Sequence, residues 1–65
     1  MPNKSYIPVF YVVTRAGRRT SPTDYWTWDR AETDANNLKA TLRRWNDKDA
    51  SRVQIIKTTQ PESII

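Results

Sequence analysis

Three arginines crowd the one glycine of the chain: Arg15, Arg18 and Arg19 around Gly17. Guanidinium forks match the geometry of phosphate and carboxylate oxygens, and a short basic turn can reach a nucleic-acid backbone. The alternative is that they are solvated charges that keep an edge strand from pairing wrongly. A second cationic set, Lys39, Arg43 and Arg44 with Lys48 and Arg52 beyond, lies on a helical segment and its exit. Complementarity to the helix dipole also accounts for its position. Phe10, Val12, Trp26, Trp28 and Ile56 form a third group, apolar side chains suited to a protein interface or, for the indoles, to stacking on a base.

Catalytic chemistry finds less material. The chain has no His, no Cys and a single Gly, so it lacks an imidazole base, a thiol nucleophile and a glycine-rich phosphate loop. Its carboxylates fall mostly where helix ends and turns explain them, and so small a domain does not easily enclose a water-excluding pocket. The reading is of a protein that is not an enzyme. It needs no cofactor, and no small-molecule substrate is evident. The absence of Cys and His also removes disulfides and the usual zinc ligands as sources of stability.

The elements that must position these residues follow from periodicity. Residues 7–15, Ile-Pro-Val-Phe-Tyr-Val-Val-Thr-Arg, are rich in β-branched and aromatic types and predict a strand, with Pro8 near its start. Arg15-Ala16-Gly17-Arg18 is the natural reversal, because glycine takes positive φ without steric cost. Arg19-Thr20-Ser21 then returns antiparallel, and Thr23–Trp26 either resumes the strand or is loop. Thr27 suits a helix N-cap. Beyond it Ala31, Ala35, Leu38, Leu42 and Trp45 repeat at helical spacing, which predicts a helix over residues 28–46 with an apolar stripe. Arg30 and Asp34 stand at pairing distance on it. Residues 46–49 form a polar exit, and Arg52–Thr58 predict a third strand.

The order β-β-α-β implies an α+β fold: a three-stranded antiparallel sheet, order 2-1-3, with one helix packed on one face. The expected core joins Ile7, Val9, Tyr11 and Val13 with Val53, Ile55, Leu38, Leu42 and Trp45, although a one-residue slip would turn Phe10 and Val12 inward instead. Trp26 and Trp28, alternating about Thr27, are expected on one side, with one of them stapled against Ala31. Phe10, Val12 and Ile56 then lie on a far face that is bare unless Ile64 and Ile65 fold over it. A bare face would serve a protein partner or a homodimer.

All 65 residues fit one domain, with residues 1–5 and 60–65 expected to be its loosest parts. Net charge is +4, which favours acidic partners and also suits ordinary solubility. No stretch is long enough to cross a bilayer, and the first residues lack the apolar core of a signal peptide, so the expected location is cytoplasmic.

Tyr11-Val12-Val13, Gly17, Thr20-Ser21-Pro22, Trp26-Thr27, Ala31, Ala35, Leu38, Val53–Thr58 and Pro61, taken together, resemble small uncharacterised ββαβ proteins encoded by bacteriophages and prophages. That resemblance implies an accessory protein acting on nucleic acid or on a host protein. The general shape is also similar to the sheet-type DNA-binding domains of phage integrases, which place their helix after all three strands rather than before the last. The expected function is a non-catalytic binding module that contacts nucleic acid through Arg15, Arg18 and Arg19, with Arg43 and Arg44 in support. The alternative is a modulator of a host enzyme acting through the sheet face or the Trp26/Trp28 region.

Overall fold

A computed structural model describes residues 7–65. Strand β1 spans Phe10–Arg15, β2 Arg18–Arg19, helix α1 Trp28–Arg44 and β3 Val53–Thr58. Short 3-10 turns occupy Lys48–Arg52 and Pro61–Ser63. The sheet is antiparallel in the order β2-β1-β3, with α1 packed against one face. This is the α+β, ββαβ architecture that the periodicity predicts. The expectation for residues 1–5 lies outside the described residues.

Ala16 and Gly17, at φ 51° and 86°, make a two-residue turn with both centres left-handed. Such a turn matches the twist of the strands that it joins. β2 is short because it starts at once, at Arg18, and stops before Pro22 can break it. The chain regains the edge of β1 only at Tyr25, whose backbone N–H donates to the Tyr11 carbonyl at 2.9 Å and whose carbonyl accepts from the Tyr11 N–H at 2.8 Å.

Helix α1 begins where Thr27 accepts the Arg30 N–H on its hydroxyl, at 3.3 Å. It ends two residues short of the expected Asn46. Asn46, at φ 56°, reverses the backbone, while the Asn46 and Asp47 N–H groups donate to the carbonyls of Arg43 and Leu42 at 3.0 and 2.8 Å. This is a Schellman cap with asparagine in the left-handed position.

The pairing Val13↔Ile55 and Arg15↔Val53 sets which side chains share a face. Tyr11, Val13, Val53 and Ile55 meet α1, where Ala31, Ala35 and Leu42 are buried and Leu38 is partly so. The small Ala31 and Ala35 let the helix lie close to the sheet. Three expected core residues are outside it: Ile7 is exposed, Val9 is half-buried beyond the end of β1, and Trp45 is 69% exposed. After the cap the chain folds back so that Ala50 packs on the core next to the last helical turn, in the region where the stripe would have sent the indole.

The far face is not bare. Val12 is 0% exposed, more completely buried than Tyr11 or Ile55, and Thr14 beside it is buried with its hydroxyl donating to the Gln54 carbonyl at 3.5 Å. The C-terminal turn Pro61–Ser63 packs against β1 here, with Pro61 buried and Ile64 half-buried. Pro61 and Ile64 thus anchor a second, smaller layer on this face.

Candidate nucleic-acid interface

Alternation along the hairpin divides the three arginines of the turn. Arg15 and Arg18 pair across β1 and β2 on the helix side, whereas Arg19, opposite Thr14, is on the far side. Arg15 donates from Nη2 to Asp47 Oδ2 at 2.8 Å and from Nε to Asp49 Oδ2 at 2.9 Å, which ties the hairpin to the 3-10 turn after the helix. Asp47 also caps that turn, accepting the Asp49 N–H at 2.9 Å.

Arg19 has its whole fork engaged. Nε donates to the Ile64 carbonyl at 2.8 Å, Nη2 to the Pro61 carbonyl at 2.6 Å, and Nη1 to Asp24 Oδ1 at 2.9 Å. The Arg19 backbone N–H donates to the Ile65 carbonyl at 3.0 Å. Arg15 and Arg19 therefore hold the fold, and of the three only Arg18 is exposed with no side-chain hydrogen bond or ion pair to the described residues. A cluster that is contiguous in sequence is separated in space.

A different grouping forms instead. The Ala16 N–H donates to the Arg52 carbonyl at 3.0 Å, which sets the hairpin turn beside the Lys48–Arg52 turn. Arg15 reaches Asp47, just past the helix C-terminus. One end of the molecule thus gathers exposed Arg18, Arg43, Arg44, Lys48 and Arg52. Arg52 leans on Asp49 at 3.6 Å, and Asp47 and Asp49 are otherwise occupied with Arg15. Trp45, exposed, directly follows Arg43 and Arg44 at the end of the helix and precedes Lys48 by three residues. The sequence marks Lys39, Arg43, Arg44, Lys48 and Arg52 as a second patch, of which Lys39 is half-buried, and it places the indole in the core.

The opposite end is aromatic and acidic. Trp26 turns to the far side and packs on Phe10, ring centres 4.5 Å apart at 50°, while Trp28 meets Tyr11 edge-on at 6.1 Å on the helix side. The two indoles are on different sides, because Thr27 lies at the strand-to-helix transition and simple alternation does not continue through it. No staple forms between Trp26 and Ala31. Of the expected interface residues, Phe10 and Ile56 are half-buried, Val12 is inaccessible, and Trp26 and Trp28 are 67% and 47% exposed. Asp29, Glu32 and Asp34 lie on the first turns of α1. Arg30 and Asp34 make no ion pair; Asp34 instead neighbours Tyr25, whose phenol is raised from its usual pKa of 10.0 chiefly by burial, with that carboxylate adding to the effect.

Among the described residues no group of His, Cys, Asp and Glu side chains is arranged to hold a metal ion, and no helix is long and apolar enough to cross a membrane. No protein-family model, curated protein or solved structure matches the chain.

Proposed function

We propose that this protein is a non-catalytic nucleic-acid-binding module that meets phosphates with its basic end. The observation that carries the reading is that Arg18, Arg43, Arg44, Lys48 and Arg52 are exposed cations of three separate elements, which the Ala16–Arg52 and Arg15–Asp47 hydrogen bonds bring to the same end of the fold. Each cation alone has a local explanation, such as the helix dipole for Arg43 and Arg44. Dipole complementarity does not account for Arg18, Lys48 and Arg52 beside them. Polyanion binding makes use of all five, and it fits the excess of Lys and Arg over Asp and Glu.

Fluorescence anisotropy with labelled oligonucleotides over a salt series tests this. The logarithm of the affinity is expected to fall linearly with log salt, and Arg43→Ala with Arg44→Ala to flatten the slope by roughly 0.7–0.9 for each phosphate that is no longer neutralised. Arg15→Ala, which removes a charge already paired, is expected to change the slope little. Absence of binding at low salt defeats the reading.

A second reading rests on the other end of the molecule. Trp26 is anchored on Phe10 yet largely exposed, which is the form of a protein-binding hot spot. In that reading Trp26→Ala abolishes partner binding and leaves oligonucleotide binding untouched.

A further inference from the structure

Within the proposed nucleic-acid reading, on which this inference rests, we infer that the basic end takes single-stranded polynucleotide, with Trp45 as the platform on which a base stacks. Trp45 has the spacing of a core residue and the exposure of a surface one. The Schellman cap at Asn46 and Asp47 turns the chain away immediately after it, and Ala50 packs on the core beside the last turn. Unlike Trp26 and Trp28, it contacts no aromatic ring among the described residues. A large indole face is therefore left to solvent by the fold's own capping geometry, flanked in sequence by Arg43, Arg44 and Lys48.

The surroundings favour a single strand over a duplex. The end is built from a two-residue hairpin turn, a helix C-terminus and a short 3-10 turn. Reading a duplex groove usually calls for a helix or a β-ribbon laid along it. Here α1 presents its last turn, and β2 is only two residues long. Stacking on an indole instead requires a base whose face is free, and cations beside the ring then hold the backbone. The polarity of the surface and the exposed ring are thus two halves of one recognition chemistry.

The test compares an oligodeoxythymidine, an oligouridine and a duplex of equal length, each titrated with the intact protein, Trp45→Ala and Trp45→Phe. Trp45→Ala is expected to weaken binding of at least one single strand by about tenfold, to leave duplex affinity and the salt slope unchanged, and to be largely rescued by Trp45→Phe. Whichever single strand responds identifies the preferred polynucleotide, and an oligodeoxyuridine then separates the sugar from the thymine methyl. A Trp26→Phe, Trp28→Phe protein, in which Trp45 is the sole indole, is expected to lose fluorescence on adding the responsive strand. Unchanged single-strand affinity in Trp45→Ala overturns the inference, as does an equal loss for duplex or an unquenched Trp45; the basic end can survive any of these as a phosphate-binding surface. Failure of every probe to bind the intact protein removes both the inference and the reading beneath it.

Discussion

At the scale of single residues, the hairpin shows how chemistry is reassigned by geometry. Arg15, Arg18 and Arg19 look equivalent in sequence, but a two-residue pleat period sends Arg19 to one face and its companions to the other. Arg19→Lys, which keeps the charge, cannot reproduce a fork that donates to three carbonyls and a carboxylate at once. Hydrogen bonds to charged groups are worth about 1.5–3 kcal/mol each, so a stability loss of about 2 kcal/mol is expected for Arg19→Lys, read as a lower urea midpoint. Arg18→Ala, by contrast, is expected to leave stability within about 0.5 kcal/mol of the parent. Tyr25 supplies a pH dependence. Its folded-state pKa is raised, so the folded protein holds the phenolic proton where the unfolded chain would release it. That contribution is complete below the unfolded value near 10.0 and is lost as pH rises through the folded value. Denaturation at mildly and strongly alkaline pH is expected to show a loss of stability that Tyr25→Phe diminishes.

At the scale of elements, the turn and the helix differ in how well their residues match their conformations. Gly17 suits its φ of 86°, but Ala16 sits at φ 51°, a region that costs an ordinary L-residue about 1 kcal/mol. Asparagine tolerates that region, and Asn-Gly is the favoured pair for such a hairpin. Ala16→Asn is therefore expected to raise stability by about 0.5–1 kcal/mol, and chemical denaturation with an unchanged m-value checks it. The elements themselves are legible from sequence because their signals are local: the β-branched run of β1, Thr27 before a helical stripe, and the single glycine at the reversal. Spacing alone puts Ala31, Ala35 and Leu42 on the buried side, where they lie. It misplaces Trp45, because spacing supposes that the helix continues; the asparagine cap ends it, and what packs beside the last turn then depends on Ala50, a residue beyond the periodic segment. Trp26 and Trp28 escape it for a related reason, since alternation fails across the change from strand to helix. Arg15 and Arg19 cannot be separated from Arg18 without knowing where Asp47, Asp49 and the last five residues come to rest, and those are meetings between distant parts of the chain.

At the scale of the whole molecule, the protein is two thin layers on one sheet rather than a sheet with a bare back. A chain of this length buries a modest fraction of its surface, so each covered face matters. The larger layer is α1. The smaller is residues 61–65, held to the sheet by Pro61, Ile64 and the Arg19 fork. Beneath it lies Val12, the largest wholly buried aliphatic side chain of the far face. Removing residues 61–65 takes away the carbonyls that satisfy Arg19 and uncovers Val12 and Ile56 together. Burial of a valine or isoleucine side chain contributes about 1.5–3 kcal/mol, so the truncated chain is expected to be less stable by about 2–4 kcal/mol. It is also expected to expose an apolar face of the kind that drives association. Sedimentation velocity separates the possibilities: the intact chain is expected to run as a monomer, and the truncated chain as concentration-dependent larger species that bind a hydrophobic dye. A truncated chain that remains monomeric with its urea midpoint intact would show that β1 and β3 need no second cover, and that the core beneath α1 carries the fold alone. Truncation leaves Arg43, Arg44, Lys48 and Arg52 in place, so any fraction that stays folded is expected to keep the salt-dependent oligonucleotide binding of the parent.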